Sequence, residues 1–227
     1  MKPTIPALAL ALVLAVAQGS RAQIEDIEQT WAAAEAGDHE AQYNLAVLAR
    51  YGPEDRRAEL RKKPRRSRSW LRVAAEKGNP DAQLALGRIY EHREYTPTNH
   101  SEAVKWYTLA AEQGNPLAQW RLGLFHYAGY GEVPKHYRKA RYWLELSARQ
   151  GFAQAQGRLG WMFYSGEAGE KDLVKAYAWM SLGAYGGDQR TFGYKERVKA
   201  QMTGEELKQA LRLAARLWKD TKRPDFR

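Results

Sequence analysis

The residues of this 227-residue chain that could carry acid–base or metal chemistry are its glutamates and five histidines: His39, His92, His100, His126 and His136. None of the histidines sits in a His-Glu-x-x-His pattern, and there is no cysteine to complete a zinc, iron–sulfur or thiol site. His92 and His100 bracket a stretch that also holds Glu91 and Glu94, the nearest approach to a ligand cluster. Short His/Glu groupings are far more often polar loops than metal sites. His126 reads as a packed or partly exposed helix residue. A Gly-x-Ser-x-Gly nucleophile elbow, a Walker loop and a Gly-x-Gly-x-x-Gly after strand patterning are all missing. The Gly129-x-Gly131 pair reads as a turn between helices. No catalytic residue, cofactor or metal ligand is expected, and the chain is read as a non-enzyme.

What remains is binding chemistry. Eight Trp and thirteen Tyr stand against only five Phe, so the aromatics carry polar handles. Trp70, Trp106, Trp143 and Trp179 recur at one position and read as core wedges rather than as a stacking platform. Trp120, Trp161, Tyr43 and Tyr130 fall off that register and are candidates for contact. Arg121 and Arg158 share a register with each other, and Arg88 lies close to it. Tryptophan beside arginine is the composition of a binding hot spot. The expected partner-binding set on the repeats is therefore Arg88, Trp120, Arg121, Arg158 and Trp161.

A second set lies in residues 50–72, where ten Lys/Arg face three acidic residues for a net +7. At its centre are Arg61, Lys62, Lys63, Arg65 and Arg66. Charge runs are usually solvated loops. The alternatives are contact with an anionic partner, such as membrane headgroups, acidic envelope polymers or an acidic domain, and a protease-sensitive loop.

These residues must be positioned by a repeat. Gly78, Gly114, Gly151 and Gly187 are spaced 36, 37 and 36 residues apart. Eight residues before each is the tryptophan, and three before is Ala75, Ala111, Ala148 or Ala184. Eleven before is a small residue: Ser67, Ala103, Ala140 or Ala176. After the first three come Ala82-Gln83, Ala118-Gln119 and Ala155-Gln156, then Leu86-Gly87, Leu122-Gly123 and Leu159-Gly160. Gly37 opens the same series with Ala34, Ala41-Gln42 and Leu45-Ala46. Offsets of four and eight share a helix face, so each unit predicts two antiparallel helices. The anchoring glycine supplies the left-handed residue that ends a helix. Asn79 and Asn115 then cap the next helix, with Pro80 and Pro116 in its first position. Asp38 and Asp188 read as caps of the same kind, whereas Phe152 offers none. Pro64 marks the start of the first unit's second helix. Small residues let the helices approach, and the tryptophan is expected to fill the space they leave. Thr203 to Glu206 is a capping box, followed by Leu207, Ala210, Leu211, Ala214 and Leu217 on one face.

The chain resembles the Sel1-like repeat (SLR) proteins, relatives of the tetratricopeptide repeats. The best match is Gly129-Tyr130-Gly131-Glu132-Val133-Pro134-Lys135, followed by Tyr137, Lys139-Ala140 and Trp143. It is similar to the family's Gly-x-Gly-Val inter-helix loop and the positions after it. The resemblance covers about residues 31–190 as four units. It implies an all-α fold, a right-handed α/α superhelical solenoid of about four SLR units with capping helices. It also implies an adaptor, because many bacterial members are exported and hold other proteins. Some cysteine-rich members are linked to β-lactams. With no cysteine and no Ser-x-x-Lys tetrad here, a peptidoglycan- or β-lactam-active enzyme is the least favoured reading.

Residues 1–22 read as a secretory signal: Lys2, an apolar run from Ile5 to Ala17, then Ser20-Arg21-Ala22 as a cleavage site. That run falls short of the ~20 residues that span a bilayer. The expected organisation is a signal peptide at 1–22, an N-terminal capping helix at 23–36, the repeat array at 37–188 and C-terminal capping helices at 189–227. No transmembrane segment is expected after cleavage, and the product is expected in the periplasm. The partner is expected to be protein, with an anionic envelope polymer or membrane surface as the alternative. An exported chain is not expected to meet chromosomal nucleic acid. The formal charge of +10 is uneven: residues 23–49 carry −6, residues 73–194 only +2, and residues 195–227 +5.

Overall fold

The structure is a computed structural model that describes residues 27–51, 64–92, 99–130, 132–167 and 169–221, without the side chains of 27, 28, 47, 49–51 and 64–69. The proposed signal peptide, Arg61, Lys62, Lys63, Glu94 and Gly131 lie outside these residues. So do the side chains of Arg65 and Arg66. All regular structure among the described residues is helical. The helices are α1 (Ile27–Glu35), α2 (His39–Tyr51), α3 (Pro64–Glu76), α4 (Pro80–Glu91), α5 (His100–Glu112), α6 (Pro116–Ala128), α7 (Tyr137–Arg149), α8 (Ala153–Ser165), α9 (Leu173–Tyr185), α10 (Gln189–Lys199) and α11 (Gly204–Asp220). The chain divides into two compact units, Met1–Leu86 and Gly87–Arg227, with the division inside α4.

The helix ends follow from local sequence. Gly37, Gly78, Gly114, Gly151 and Gly187 all have φ between 87° and 100°, the left-handed region in which a Cβ is strained. Asn115 then caps α6 by accepting from the Ala118 N–H, with proline in the first turn. Asn79 accepts from Ala82 N at 2.9 Å, and Asp38 from Glu40 N at 2.9 Å. The second helices open on a recurring cap fifteen residues before the glycine. It is Asn99 for α5, Asp172 for α9 and, unannounced by the sequence, His136 for α7, whose Nδ1 accepts from Lys139 N at 3.3 Å. Phe152 makes no side-chain cap. Asp188 also makes none, contrary to expectation. Its carboxylate instead accepts the hydroxyl of Thr191, a buried residue that competes for the same oxygen.

The Ala-Gln motif has one cause in all four places. Gln42, Gln83, Gln119 and Gln156 are buried, and each donates through Nε2 to the carbonyl eight residues earlier. The acceptors are Ala34, Ala75, Ala111 and Ala148, at 2.9–3.0 Å. That carbonyl belongs to the last turn of the preceding helix and already accepts the N–H of the left-handed glycine at 3.0–3.2 Å, so the glutamine fills its second lone pair. A hydrogen bond of this kind contributes about 0.5–1.5 kcal/mol net, and the glutamine and the glycine hold the same carbonyl.

In Met1–Leu86 the small core is Trp31, Ala34, Ala41, Leu45 and Trp70, with the two indoles edge to face at 4.6 Å. In Gly87–Arg227 the expected wedge is off by one residue. A Cβ on Gly87 would meet the Tyr107 ring at 2.5 Å, one on Gly123 the Leu144 side chain at 2.7 Å, and one on Gly160 the Met180 Cγ at 2.6 Å. The residue after each tryptophan fills the glycine's space. Trp106 and Trp143 are consequently only half-buried, while Trp70 and Trp179 are buried. A one-residue step turns a side chain by about 100° on a helix, which is why the period found the helix but not the wedge. α10 and α11 each pack on α9. Thr203 and Glu206 form the capping box of α11, and Leu207, Ala210, Ala214 and Leu217 join the core with Trp218. Leu211 does not: it is 52% exposed.

Candidate functional site

The first helices in Gly87–Arg227, α4, α6 and α8, carry a shared stripe of arginine and tryptophan. On α6, Trp120 and Arg121 stand six and seven residues after their glycine. On α8, Arg158 and Trp161 stand seven and ten after theirs. Arg88, at the tenth position on α4, belongs to the same stripe, because offsets of seven, ten and thirteen recur on one helix face. All five residues are half-buried.

Contacts along the stripe join position seven of one helix to position thirteen of the helix before it. Between α6 and α4 this is an ion pair: Arg121 Nη1 lies 3.2 Å from Glu91 Oε1, with the side chains 22% and 15% exposed. The other Glu91 oxygen accepts the hydroxyl of the fully buried Tyr107. Burial, then the Glu91 charge and its hydrogen bond, push the Tyr107 hydroxyl well above the ordinary tyrosine pKa. Arg121 and Arg88 pull it the other way. Between α8 and α6 the pair becomes a ring contact, with the Arg158 guanidinium 4.9 Å from the centre of Tyr127. The Tyr127 hydroxyl donates to Glu167 Oε1 at 3.0 Å, and burial with that bond raises its pKa. Further along, Trp161 packs on Tyr164 and on Tyr194 of α10, at 5.6 and 4.7 Å between centroids. Trp120 packs on Phe152 at 5.3 Å, with the Arg121 guanidinium 4.8 Å from its ring.

The five repeat residues singled out by sequence thus lie on one stripe, although their contacts are partly with one another. Glu91, Tyr107 and Tyr127, which set the state of that stripe, went unnoticed. The position-thirteen alignment of Glu91, Tyr127 and Tyr164 was the available signal. Of the other aromatic candidates, Tyr43 is buried at 6% exposure in α2 and offers no contact surface. Its offset of six from Gly37 matches that of Trp120, but in the first unit that position points inward. Tyr130 is 47% exposed, against His100 and Phe125.

Histidine chemistry finds no centre. Glu91, bonded to Tyr107 and Arg121, lies 3.9 Å from His92. His100 packs edge-on to Phe125 at 5.6 Å. His126 is held below the ordinary histidine pKa by burial, with Lys139 and His136 adding to it. Among the described residues, no group of three or more His, Asp or Glu is placed to hold a metal ion. No described helix is long and apolar enough to cross a membrane.

Comparison with known proteins places this geometry. The Sel1 repeat model matches four times, at residues 39–79, 80–115, 116–152 and 153–188. The crystal structure of c5321, a protective antigen of uropathogenic Escherichia coli strains with an SLR fold, is similar over 86% of this chain at 31% identity and a TM-score of 0.75. The chain spans 41% of that protein's length. A Sel1 repeat protein from Oxalobacter formigenes is similar over 56% of this chain and 95% of its own, at 34% identity and a TM-score of 0.51. No curated protein sequence matches. Four consecutive matches, with the glutamine-closed turns falling between one unit's second helix and the next first helix, show that the chain is an all-α solenoid and belongs to the Sel1 repeat family.

Proposed function

We propose that this chain is an exported repeat scaffold that holds a protein or peptide segment on the stripe of its first helices, in envelope signalling or assembly. Sel1 repeat proteins generally mediate protein–protein interaction and are typically non-catalytic. The observation that carries the reading to this chain is the grouping of Trp120, Arg121, Arg158 and Trp161. They are half-buried side chains of hot-spot type on α6 and α8, with the two arginines at the same offset. The leader-like composition of residues 1–22 supports export to the periplasm. The test is crosslinking and recovery of partners from the native envelope with the mature protein and with a Trp120→Ala, Trp161→Ala form. Loss of one defined partner set with the double variant is expected. Identical recovery would overturn the reading.

A second reading rests on residues 50–72, whose +7 is most of the charge of the mature chain. It assigns Arg61, Lys62, Lys63, Arg65 and Arg66 to an anionic polymer or membrane surface. Binding of that kind weakens steeply with salt, whereas an aromatic-centred protein contact changes little. Neutralising these five residues without loss of envelope binding would sink it.

A further inference from the structure

The stripe of first helices holds more guanidinium than it neutralises. Glu91 is committed on both oxygens, to Arg121 and to the Tyr107 hydroxyl. Arg121 uses a single N–H in that pair, and its Nε is buried without a partner. The Arg158 guanidinium rests on the Tyr127 ring and makes no hydrogen bond or ion pair among the described residues, and neither does the Arg88 guanidinium. Glu167, the other carboxylate nearby, is taken by Tyr127 and by Ser165 at 2.9 Å. Two half-buried guanidiniums therefore flank a locked Glu91–Arg121 pair, with Trp120 and Trp161 beside them. Half-buried arginine on an aromatic wall favours a planar acceptor that fills its donor fork, and a carboxylate does so with two parallel bonds. Glu91 and Glu167 would repel a uniform polyanion lying along the stripe. An extended protein segment can place acidic groups at the arginines and apolar groups at the indoles.

We propose that the stripe reads acidic side chains: a partner segment presents Asp or Glu carboxylates to Arg88 and Arg158 and apolar side chains to Trp120 and Trp161, while Glu91 holds Arg121 in position between them. The inference rests on the first-helix stripe being the binding face. The test is selection of a random-peptide display library on the mature full chain, in parallel with an Arg88→Gln, Arg158→Gln variant. Single variants serve if the pair does not fold. Selected peptides should be enriched in Asp/Glu next to an aromatic or leucine, and the acidic preference should fall in the variant while the apolar preference stays. A selected peptide should bind the variant about tenfold or more weakly, the scale of one lost charge-assisted pair. Its Glu→Gln counterpart should bind both proteins alike. Peptides without acidic enrichment that still require Trp120 and Trp161 would overturn this proposal alone, as would acidic enrichment unchanged in the variant. Peptides indifferent to Trp120→Ala and Trp161→Ala would overturn the first-helix reading and this proposal with it.

Discussion

Two sets of contacts made by the same helices in Gly87–Arg227 obey different rules. Inward, the chemistry repeats with the unit: Gln119 and Gln156 each close a turn onto an alanine carbonyl, and Gly123 and Gly160 each receive the residue after a tryptophan. Along the stripe, the same geometric junction changes character at every step. Position seven meets position thirteen as an Arg–Glu pair at α6, as arginine on tyrosine at α8, and at α10 Tyr194 meets Trp161 instead. Packing tolerates little variation in a close-packed seam. The stripe carries no such constraint, and its side chains differ from one helix to the next.

The contrast can be broken most severely from inside. A Cβ at Gly160 would sit 2.9 Å from the Ala176 carbonyl and 3.0 Å from the Met180 backbone nitrogen, neither of which can swing away. Gly160→Ala should cost about 3 kcal/mol in a denaturant melt. The control is Gly193→Ala on α10, where nothing lies within 4 Å, and a gain of about 0.5–1 kcal/mol is expected from helix propensity. Next, Gln156→Met keeps the volume but removes one of the two donors to the Ala148 carbonyl, which keeps the Gly151 N–H, for a loss of about 0.5–1.5 kcal/mol by the same melt. A neutral result would mean that the Gly151 N–H alone satisfies that carbonyl.

Smaller effects come from the helix ends. His136 is a poor cap in a position that Asn99 and Asp172 fill in the neighbouring units. His136→Asp should stabilise α7 by about 0.5–1 kcal/mol, seen as a higher melting temperature. The smallest effect is pH-dependent. The pKa of His126 in the folded chain lies below its ordinary 6.5, with burial the main cause. The unfolded chain therefore binds the proton more readily. The stability His126 contributes is present above its unfolded pKa and declines as pH falls through 6.5 towards the folded value. Melts at descending pH should show this decline, and His126→Gln should flatten it.

Much of the fold was legible because the glycine, alanine and glutamine sit where the backbone itself dictates the residue: a positive φ, a close approach, a carbonyl with a second lone pair to fill. Helix starts at Pro64, Pro80 and Pro116 were equally plain. The wedge was misassigned because Trp106 and Tyr107 are both aromatic, and the repeat alone does not say which one faces Gly87. Leu211 was placed inward because a period of three to four admits it, yet α11 packs through its neighbours Ala210 and Ala214. Tyr43 failed in the same way at an equivalent offset. The site was legible as residue types but not as partners. Nothing in the spacing of Glu91, Tyr107 and Arg121 announces a shared carboxylate across three helices.

The stripe as the binding face is tested most directly by photo-crosslinking in the native envelope. A crosslinking side chain would be placed at position 88, 121 or 158 on the first helices, and at Tyr142 on α7, which is 58% exposed on a second helix. One protein should be captured from all three stripe positions and not from position 142. Capture from position 142 with none from the stripe would contradict the assignment of function to the first-helix face.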